Sequence, residues 1–152
     1  MRRALQVKAG VVQALGSATM RTEALFRSSG FNTKEVRDYF INDCCFGDDL
    51  GKWLIAKLRA AGVETDDEPD QEDFGWFFNF KVPAGEHCCI LAFQEEEPEG
   101  VWHLTLERKR GLIGSLFGGR SKGIDEQAVA EITKVLGAAP EIRDFRWEEK
   151  VA

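Results

Sequence analysis

Residues 64–81, which read ETDDEPDQEDFGWFFNFK, change from acidic to aromatic at residue 74 and decide how the rest of the chain is interpreted. The first part combines many carboxylates with a proline and offers little apolar surface to bury, which favours a solvated loop. In the second part Trp76, Phe78 and Phe80 alternate with small or polar residues, as in a half-buried strand, and only Phe77 breaks the pattern. We therefore expect an acidic loop that leads into a central sheet.

Two more strands are expected directly after this one. A turn at residues 83–85 precedes the apolar residues 87–93, which are typical of a covered central strand. After a loop that contains Pro98, residues 101–107 again alternate between apolar and polar side chains. Because the connections are short, the three strands predict an antiparallel meander over residues 74–107.

Two segments have helical periodicity. A pair of aspartates opens an apolar stripe over about residues 48–61, and Asp125 opens another over about residues 125–136. Carboxylates at these positions accept hydrogen bonds from the free N–H groups of a first helical turn. Both segments are therefore predicted to be the main helices of the domain.

Weaker patterns predict three further elements. Asn32 and Glu35 have the spacing of a capping box, which predicts a short helix over residues 33–40. Residues 23–27 and 142–147 have the composition of a first and a last strand.

These elements together predict an α+β fold. We expect a two-layer sandwich in which an antiparallel sheet of four to five strands carries both main helices on one face. A length of 152 residues suits one domain, which we assign to residues 21–152.

The N-terminal residues 1–20 are interpreted as an extension that is helical or poorly packed. The first nineteen residues include Arg2, Arg3 and Lys8 but no carboxylate. This composition is compatible with a targeting segment, a short surface helix or an extension upstream of a start at Met20. The apolar part of the segment is interrupted by glycine, so we favour the last two interpretations.

The overall charge and hydropathy exclude some classes of function. A net charge of −6 argues against non-specific nucleic-acid binding, which requires positive charge to displace counterions. No apolar run in the sequence is long enough to span a membrane. We predict a cytoplasmic location, in which cysteines are usually reduced.

The cysteines and histidines are the main candidates for chemistry. Zinc prefers such ligands, and Cys44, Cys45 and His87 are weak metal candidates, but adjacent residues of a strand point to opposite faces and cannot easily share one ion. A catalytic thiol would need a base, and the weak catalytic candidates are Cys88, Cys89, His103, Glu72 and Asp73. We expect instead four reduced thiols in a core or an interface, because neighbours in sequence rarely bond to each other; a disulfide between the two pairs is the alternative.

No cofactor site is predicted. Residues 114–121, GSLFGGRS, have the spacing of a phosphate-binding loop with Arg120 in the position of lysine. That loop must follow a strand of a parallel sheet, whereas this segment follows an antiparallel meander, so we interpret the match as coincidental.

A basic and apolar segment over residues 108–122 is the main candidate for a partner surface. It joins cationic side chains to apolar ones that would share one helical face, a combination suited to a partner groove or an anionic membrane surface. The alternative is that it packs under the sheet and neutralises the acidic run. With Phe77 on the opposite sheet face, the predicted partner-binding residues are Phe77, Arg108, Arg110, Leu112, Ile113, Leu116, Phe117 and Arg120.

Three segments resemble those of a group of small bacterial proteins: FINDCCFGDDLGKWL from residue 40, QEDFGW from residue 71 and ERKRGLIGSLFG from residue 107. The resemblance begins near residue 31 and covers most of the chain after it. It implies a bacterial cytosolic domain, and it implies no activity and no catalytic residues.

Our leading hypothesis is a non-enzymatic module that binds another protein or itself, as an immunity-like protein or accessory factor. The alternative is a small-molecule or metal-dependent enzyme that uses the Cys/His set and the acidic residues. A weaker alternative is peripheral membrane binding through the 108–122 loop.

Overall fold

The computed structural model describes residues 19–109 and 124–151. These residues form two helices and a seven-stranded antiparallel open sheet, which confirms the α+β class. The elements are β1 (Thr19–Arg27), α1 (Asp48–Ala60), β2 (Glu64–Thr65), β3 (Asp70–Glu72), β4 (Gly75–Val82), β5 (Gly85–Gln94), β6 (Val101–Arg108), α2 (Glu126–Ala138) and β7 (Arg143–Val151).

The predicted meander is present as β4, β5 and β6, which pair in sequence order. β1 then pairs with β6, and β7 pairs with the other side of β1, so the order across the sheet is β2-β4-β5-β6-β1-β7, with β3 also beside β4. Among the described strands, β1 is thus internal and β7 lies at an edge.

One sheet face carries the core. The alternating side chains of β4 face it, and Phe78 and Phe80 are at most 1% exposed. Trp102 and Leu104 of β6 lie on the same face and are fully buried beside Phe26 of β1. The alternation in the sequence therefore identified the buried face of the sheet correctly.

Both helices cover this face. α1 and α2 lie close to their predicted ranges, and Asp125 caps α2 by accepting a hydrogen bond from the backbone N–H of Gln127 at 2.7 Å. The apolar stripes of the two helices belong to the same core cluster as the strands: Leu50, Leu54, Ile55 and Leu58 from α1, and Ala128, Ile132 and Leu136 from α2.

The acidic segment is not the solvated loop that we expected. Its two ends pair as β2 and β3 with the same edge of β4, which raises the strand count above the predicted four to five. Specific donors satisfy two of the three intervening carboxylates: Asp66 accepts from the backbone and side-chain N–H groups of Asn79 at 2.9 Å, and Asp67 accepts from Arg59 at 2.7 Å. Main-chain pairing with β4 needs no apolar side chain, so the acidic composition does not prevent it.

The predicted helix over residues 33–40 is wrong. The side-chain oxygen of Asn32 does accept from the backbone N–H groups of Lys34 and Glu35, at 3.1 and 2.9 Å, as a cap would. Its amide nitrogen, however, donates to the carbonyl of Glu35 at 2.7 Å, which closes an isolated turn. Side-chain bonds of this kind compete with helical ones, and no helix follows here.

Candidate functional site

The sheet face opposite the helices presents a mixed surface. Phe77 of β4 lies opposite Ile90 of β5 and Asp70 of β3, and both Phe77 and Ile90 are half-buried. Cys88 and His103 lie on the same face, farther along their strands. This face therefore holds several of the predicted site residues, and its register decides whether they meet.

The predicted Cys–His pair does not form. Cys88 lies opposite Glu107, whereas His103 lies opposite Ala92, four residues farther along β5. Four residues of a strand span about 13 Å, far beyond hydrogen-bond reach. His103 instead contacts Gln94 at 2.8 Å and Glu23 at 3.5 Å, so it does not stand beside the Cys88 thiol.

Cys89 and His87 lie on the core face. Cys89 is fully buried, and burial raises its pKa well above that of a free thiol; burial also raises the pKa of Cys88, to about 11. Thiols with raised pKa values are poor nucleophiles at neutral pH. Neither Cys88 nor Cys89 therefore has the character of a catalytic cysteine.

His87 is fully buried beneath the start of α2. Its ring stacks on Phe80, and its Nε2 accepts a hydrogen bond from the backbone N–H of Asp125 at 3.3 Å. Burial, followed by the charge of Arg108, lowers the pKa of His87, so the ring is held neutral. This histidine supports packing and is remote from the other predicted metal ligands.

Glu72 and Asp73 lie at the sheet edge, away from His103. Glu72, at the end of β3, pairs with Gly75 at the start of β4. The Asp73 side chain accepts a hydrogen bond from the Asn42 amide at 3.1 Å. Both residues are exposed. The weak catalytic candidates therefore do not converge on one place in the described part of the chain.

Cys44 and Cys45 are joined by a disulfide bond, so the expectation that both are reduced is wrong. The argument that neighbours point apart applies to strands, whereas this pair lies in the loop between β1 and α1. Within residues 19–109 and 124–151, no three His, Cys, Asp or Glu side chains lie close enough together to hold a metal ion.

Gln71 and Trp76 hold this cysteine loop in place. The Gln71 amide accepts from the backbone N–H groups of Ile41 and Asn42 and donates to the carbonyls of Asn42 and Cys45, the last two at 2.7 and 3.3 Å. The Trp76 indole donates to the same Cys45 carbonyl at 3.0 Å. Sequence reasoning missed Gln71, whose one distinguishing sign is that it is the uncharged residue between Asp70 and Glu72.

A second missed contact lies at the start of α1. Asp48 is 1% exposed, and its Oδ2 accepts a hydrogen bond from the Tyr39 hydroxyl and lies 3.7 Å from Nε of Arg37. The hydrogen bond to Asp48, more than burial, raises the pKa of Tyr39 to about 12. Tyr39 therefore keeps its proton and serves as a donor to the buried carboxylate.

A cleft of about 710 Å³ lies between the loop after β1 and the loop between β5 and β6. Its rim carries the glutamates of residues 95–99. Arg27 donates to the Glu99 carbonyl and lies 3.5 Å from Glu96, while Arg143 pairs with the Glu99 side chain. Because arginines already pair with Glu96 and Glu99, these two glutamates do not indicate a cation site.

Most of the predicted partner segment lies outside the described residues: Arg110, Leu112, Ile113, Leu116, Phe117 and Arg120. Of the two remaining partner-binding predictions, Phe77 is half-buried on the sheet face opposite α1 and α2. Arg108 ends β6 and donates to the Ala84 carbonyl at 2.9 Å, so it supports the turn between β4 and β5.

The edge strand β7 is the remaining candidate surface. Within residues 19–109 and 124–151 it pairs with β1 and with no other strand. Arg146 and Glu148 flank Trp147, with side chains that are 57% and 46% exposed, and they contact each other at 3.4 Å. Trp147 faces the helices and donates to the Thr133 hydroxyl at 2.9 Å.

Comparisons with known proteins add no relationship: no protein-family model, curated protein or solved structure matches the chain. The resemblance to small bacterial proteins therefore stays a prediction. No helix in the described residues combines the length and the hydropathy that a membrane span requires.

Proposed function

We propose that this chain is a non-enzymatic module that associates with a second copy of itself through the outer edge of β7. The observation that carries the proposal is that this nine-residue strand is paired on one side only within the described residues. An open sheet edge presents backbone N–H and C=O groups that a further strand can satisfy. A dimer would join two sheets into one.

The opposite edge of the sheet is poorly suited to such pairing. β2 and β3 contain only two and three residues, are separated by a segment with Pro69, and carry acidic side chains. Short, charged and interrupted strands are the usual means by which proteins prevent edge pairing. β7 also carries charges and two register shifts, but it is nine residues long, contains no proline, and pairs with β1 without a shift over residues 146–148.

The charges of β7 favour pairing with a copy of itself. If two β7 strands run antiparallel about a two-fold axis at Trp147, the midpoint of the strand, Arg146 of each copy lies opposite Glu148 of the other. An axis shifted by one residue would place Arg146 opposite Arg146, or Glu148 opposite Glu148. Each opposite-charge pair across strands contributes about 0.2–1 kcal/mol, and like pairs are destabilising. The edge is therefore self-complementary in one register.

Charge reversal tests this proposal. Arg146→Glu and Glu148→Arg should each weaken the dimer, because each places like charges across the axis. The double variant Arg146→Glu/Glu148→Arg should restore it, and so should an equimolar mixture of the two single variants. Lys134→Glu makes the same charge change at a 63% exposed position of α2 and should leave association unchanged.

Sedimentation velocity over a concentration series measures the outcome. We expect a concentration-dependent dimer for the wild type, and weaker association at higher salt because exposed charges are screened. A wild type that stays monomeric at the highest concentration, or a mixture of single variants that fails to associate, would refute the proposal.

The proposal includes a two-layer arrangement, with both helices on one face and the other face open. It also places the module in the bacterial cytoplasm, as an immunity-like or accessory factor, which cell fractionation and a pull-down with the charge-reversal variants would test. The scattered Cys, His and acidic candidates give the enzyme alternative no supporting site. The membrane alternative remains a separate proposal, which co-sedimentation with anionic liposomes tests.

A further inference from the structure

The disulfide between Cys44 and Cys45 is not explained by stabilisation of the fold. A disulfide stabilises a protein mainly by restricting its unfolded chain, and the effect grows with the length of the loop that it closes. Neighbouring residues close the shortest loop available, so this bond removes little entropy from the unfolded state. The bond is also accessible, since Cys44 is exposed and Cys45 is half-buried.

The surroundings of the two sulfurs suit the reduced state as well as the oxidised one. The Asp73 carbonyl oxygen lies 3.8 Å from Sγ of Cys44 and 3.5 Å from Sγ of Cys45. The sulfurs of a disulfide have no proton to donate, whereas each thiol of a reduced pair can donate to that oxygen. An acceptor is therefore in place for the thiols that reduction would produce.

The loop has supports that do not depend on the sulfur–sulfur bond. The Cys45 carbonyl accepts hydrogen bonds from the Trp76 indole and the Gln71 amide, and Gln71 also binds the backbone of Asn42 in both directions. Gln71 is 7% exposed, so these bonds are shielded from water. Breaking the disulfide removes none of them, and the loop can keep its place through a redox cycle.

The remaining cysteines are separated from this chemistry. Cys89 is buried on the core face, and Cys88 is half-buried, with its thiol largely protonated at neutral pH because burial raises its pKa to about 11. Thiolates, not thiols, carry out exchange. Both residues are free thiols in a structure that contains the Cys44–Cys45 bond.

We propose that the Cys44–Cys45 pair is a reversible thiol–disulfide exchange site whose co-reactant is a dithiol reductant. A thiolate of the reductant attacks the exposed Sγ of Cys44, the sulfur–sulfur bond breaks, and the Cys45 thiolate leaves and takes a proton from solvent. The second thiol of the reductant loses its proton, attacks its partner sulfur in the mixed disulfide and releases Cys44, which takes up that proton. Two electrons and two protons pass to the pair, and the reductant becomes a disulfide.

Counting accessible thiols in the full chain tests the proposal. Without reductant, brief treatment of the native protein with N-ethylmaleimide should add no label at Cys44 or Cys45, by intact mass and peptide mapping. After dithiothreitol and its removal, two labels should appear there. Titration between reduced and oxidised dithiothreitol should follow the same curve in both directions, with an unchanged circular dichroism spectrum.

Phenylarsine oxide provides a second measurement. A reduced neighbouring pair of thiols binds one trivalent arsenic through two As–S bonds with release of water, so one adduct per chain should form after reduction and none before it. Cys44→Ser should abolish arsenical binding and leave Cys45 labelled with or without reductant. Cys88→Ser should change neither result.

Three results would overturn the proposal. One is labelling of both Cys44 and Cys45 in protein that has never met a reductant, which would mean that no bond forms. Another is a pair that stays unlabelled after dithiothreitol. The third is loss of the native spectrum on reduction, which would make the bond structural.

Discussion

Gln71→Glu should destabilise the protein through the cysteine loop. The substitution keeps the size of the side chain but replaces its NH₂ group, which donates to the Asn42 carbonyl at 2.7 Å, with an oxygen. The Cys45 carbonyl keeps the Trp76 indole as its donor, so the Asn42 carbonyl is the group that loses a bond. This hydrogen bond is partly buried, and losing such a bond costs about 0.5–1.5 kcal/mol. We expect a loss of that size in the free energy of unfolding.

Equilibrium unfolding in urea measures the change as a lower midpoint with an unchanged slope. Gln71→Ala should be worse than Gln71→Glu, because it also removes the acceptor for the N–H groups of Ile41 and Asn42. Glu72→Gln is the matched control: the next residue is exposed, and its substitution should change stability by less than about 0.5 kcal/mol. If Gln71→Glu unfolds at the same urea concentration as the wild type, the reasoning about this amide is refuted.

Three further predictions concern other parts of the fold. Gly75→Ala should prevent stable folding, because the φ of Gly75 is 150° and the added Cβ would lie 2.1 Å from the Leu91 carbonyl oxygen. Soluble yield and circular dichroism measure this effect, and a variant that folds like the wild type would contradict it. Tyr39 is the single tyrosine, so an ultraviolet absorbance titration should give its pKa of about 12 directly, and Asp48→Asn should return the value toward 10. The pKa of His87 is lowered in the folded state, so below pH 6.5 the unfolded chain binds a proton at this residue and the folded protein does not. The free energy of unfolding should therefore fall as the pH drops below 6.5. His87→Asn should flatten this pH dependence in urea titrations from pH 7.5 to about 5.5, and an unchanged dependence would refute the assignment.

The meander and both helices could be predicted because their burial follows the period of the secondary structure. Phe78 and Phe80 recur every second residue, and the helical stripes recur at three and four residues, so local pattern and final environment agree. The acidic segment could not be predicted in this way. Its strands pair through main-chain groups, and its carboxylates meet donors such as Asn79 that lie far away in sequence.

The candidate site depended on register, which the sequence did not specify. Whether Cys88 meets His103 is decided by the loop between β5 and β6, which sets His103 opposite Ala92. The disulfide of Cys44 depended on the conformation of one irregular loop, and rules for side-chain direction in strands do not apply there. Likewise the Asn32 side chain accepts from the Glu35 N–H as a helix cap would, but it also donates to the Glu35 carbonyl and forms an isolated turn. The spacing of Asn32 and Glu35 does not distinguish these two outcomes.

The internal position of β1 has a consequence for the order in which the fold assembles. β4, β5 and β6 pair with neighbours in sequence, so their contacts can form early at a small cost in chain entropy. β1, at the other end of the described chain, must wait for β6 and then for β7, across long intervening segments. Contacts between distant segments slow folding. The docking of β1 between β6 and β7 is therefore the step that should limit the folding rate, and until then the edge of β6 is open to incorrect strands.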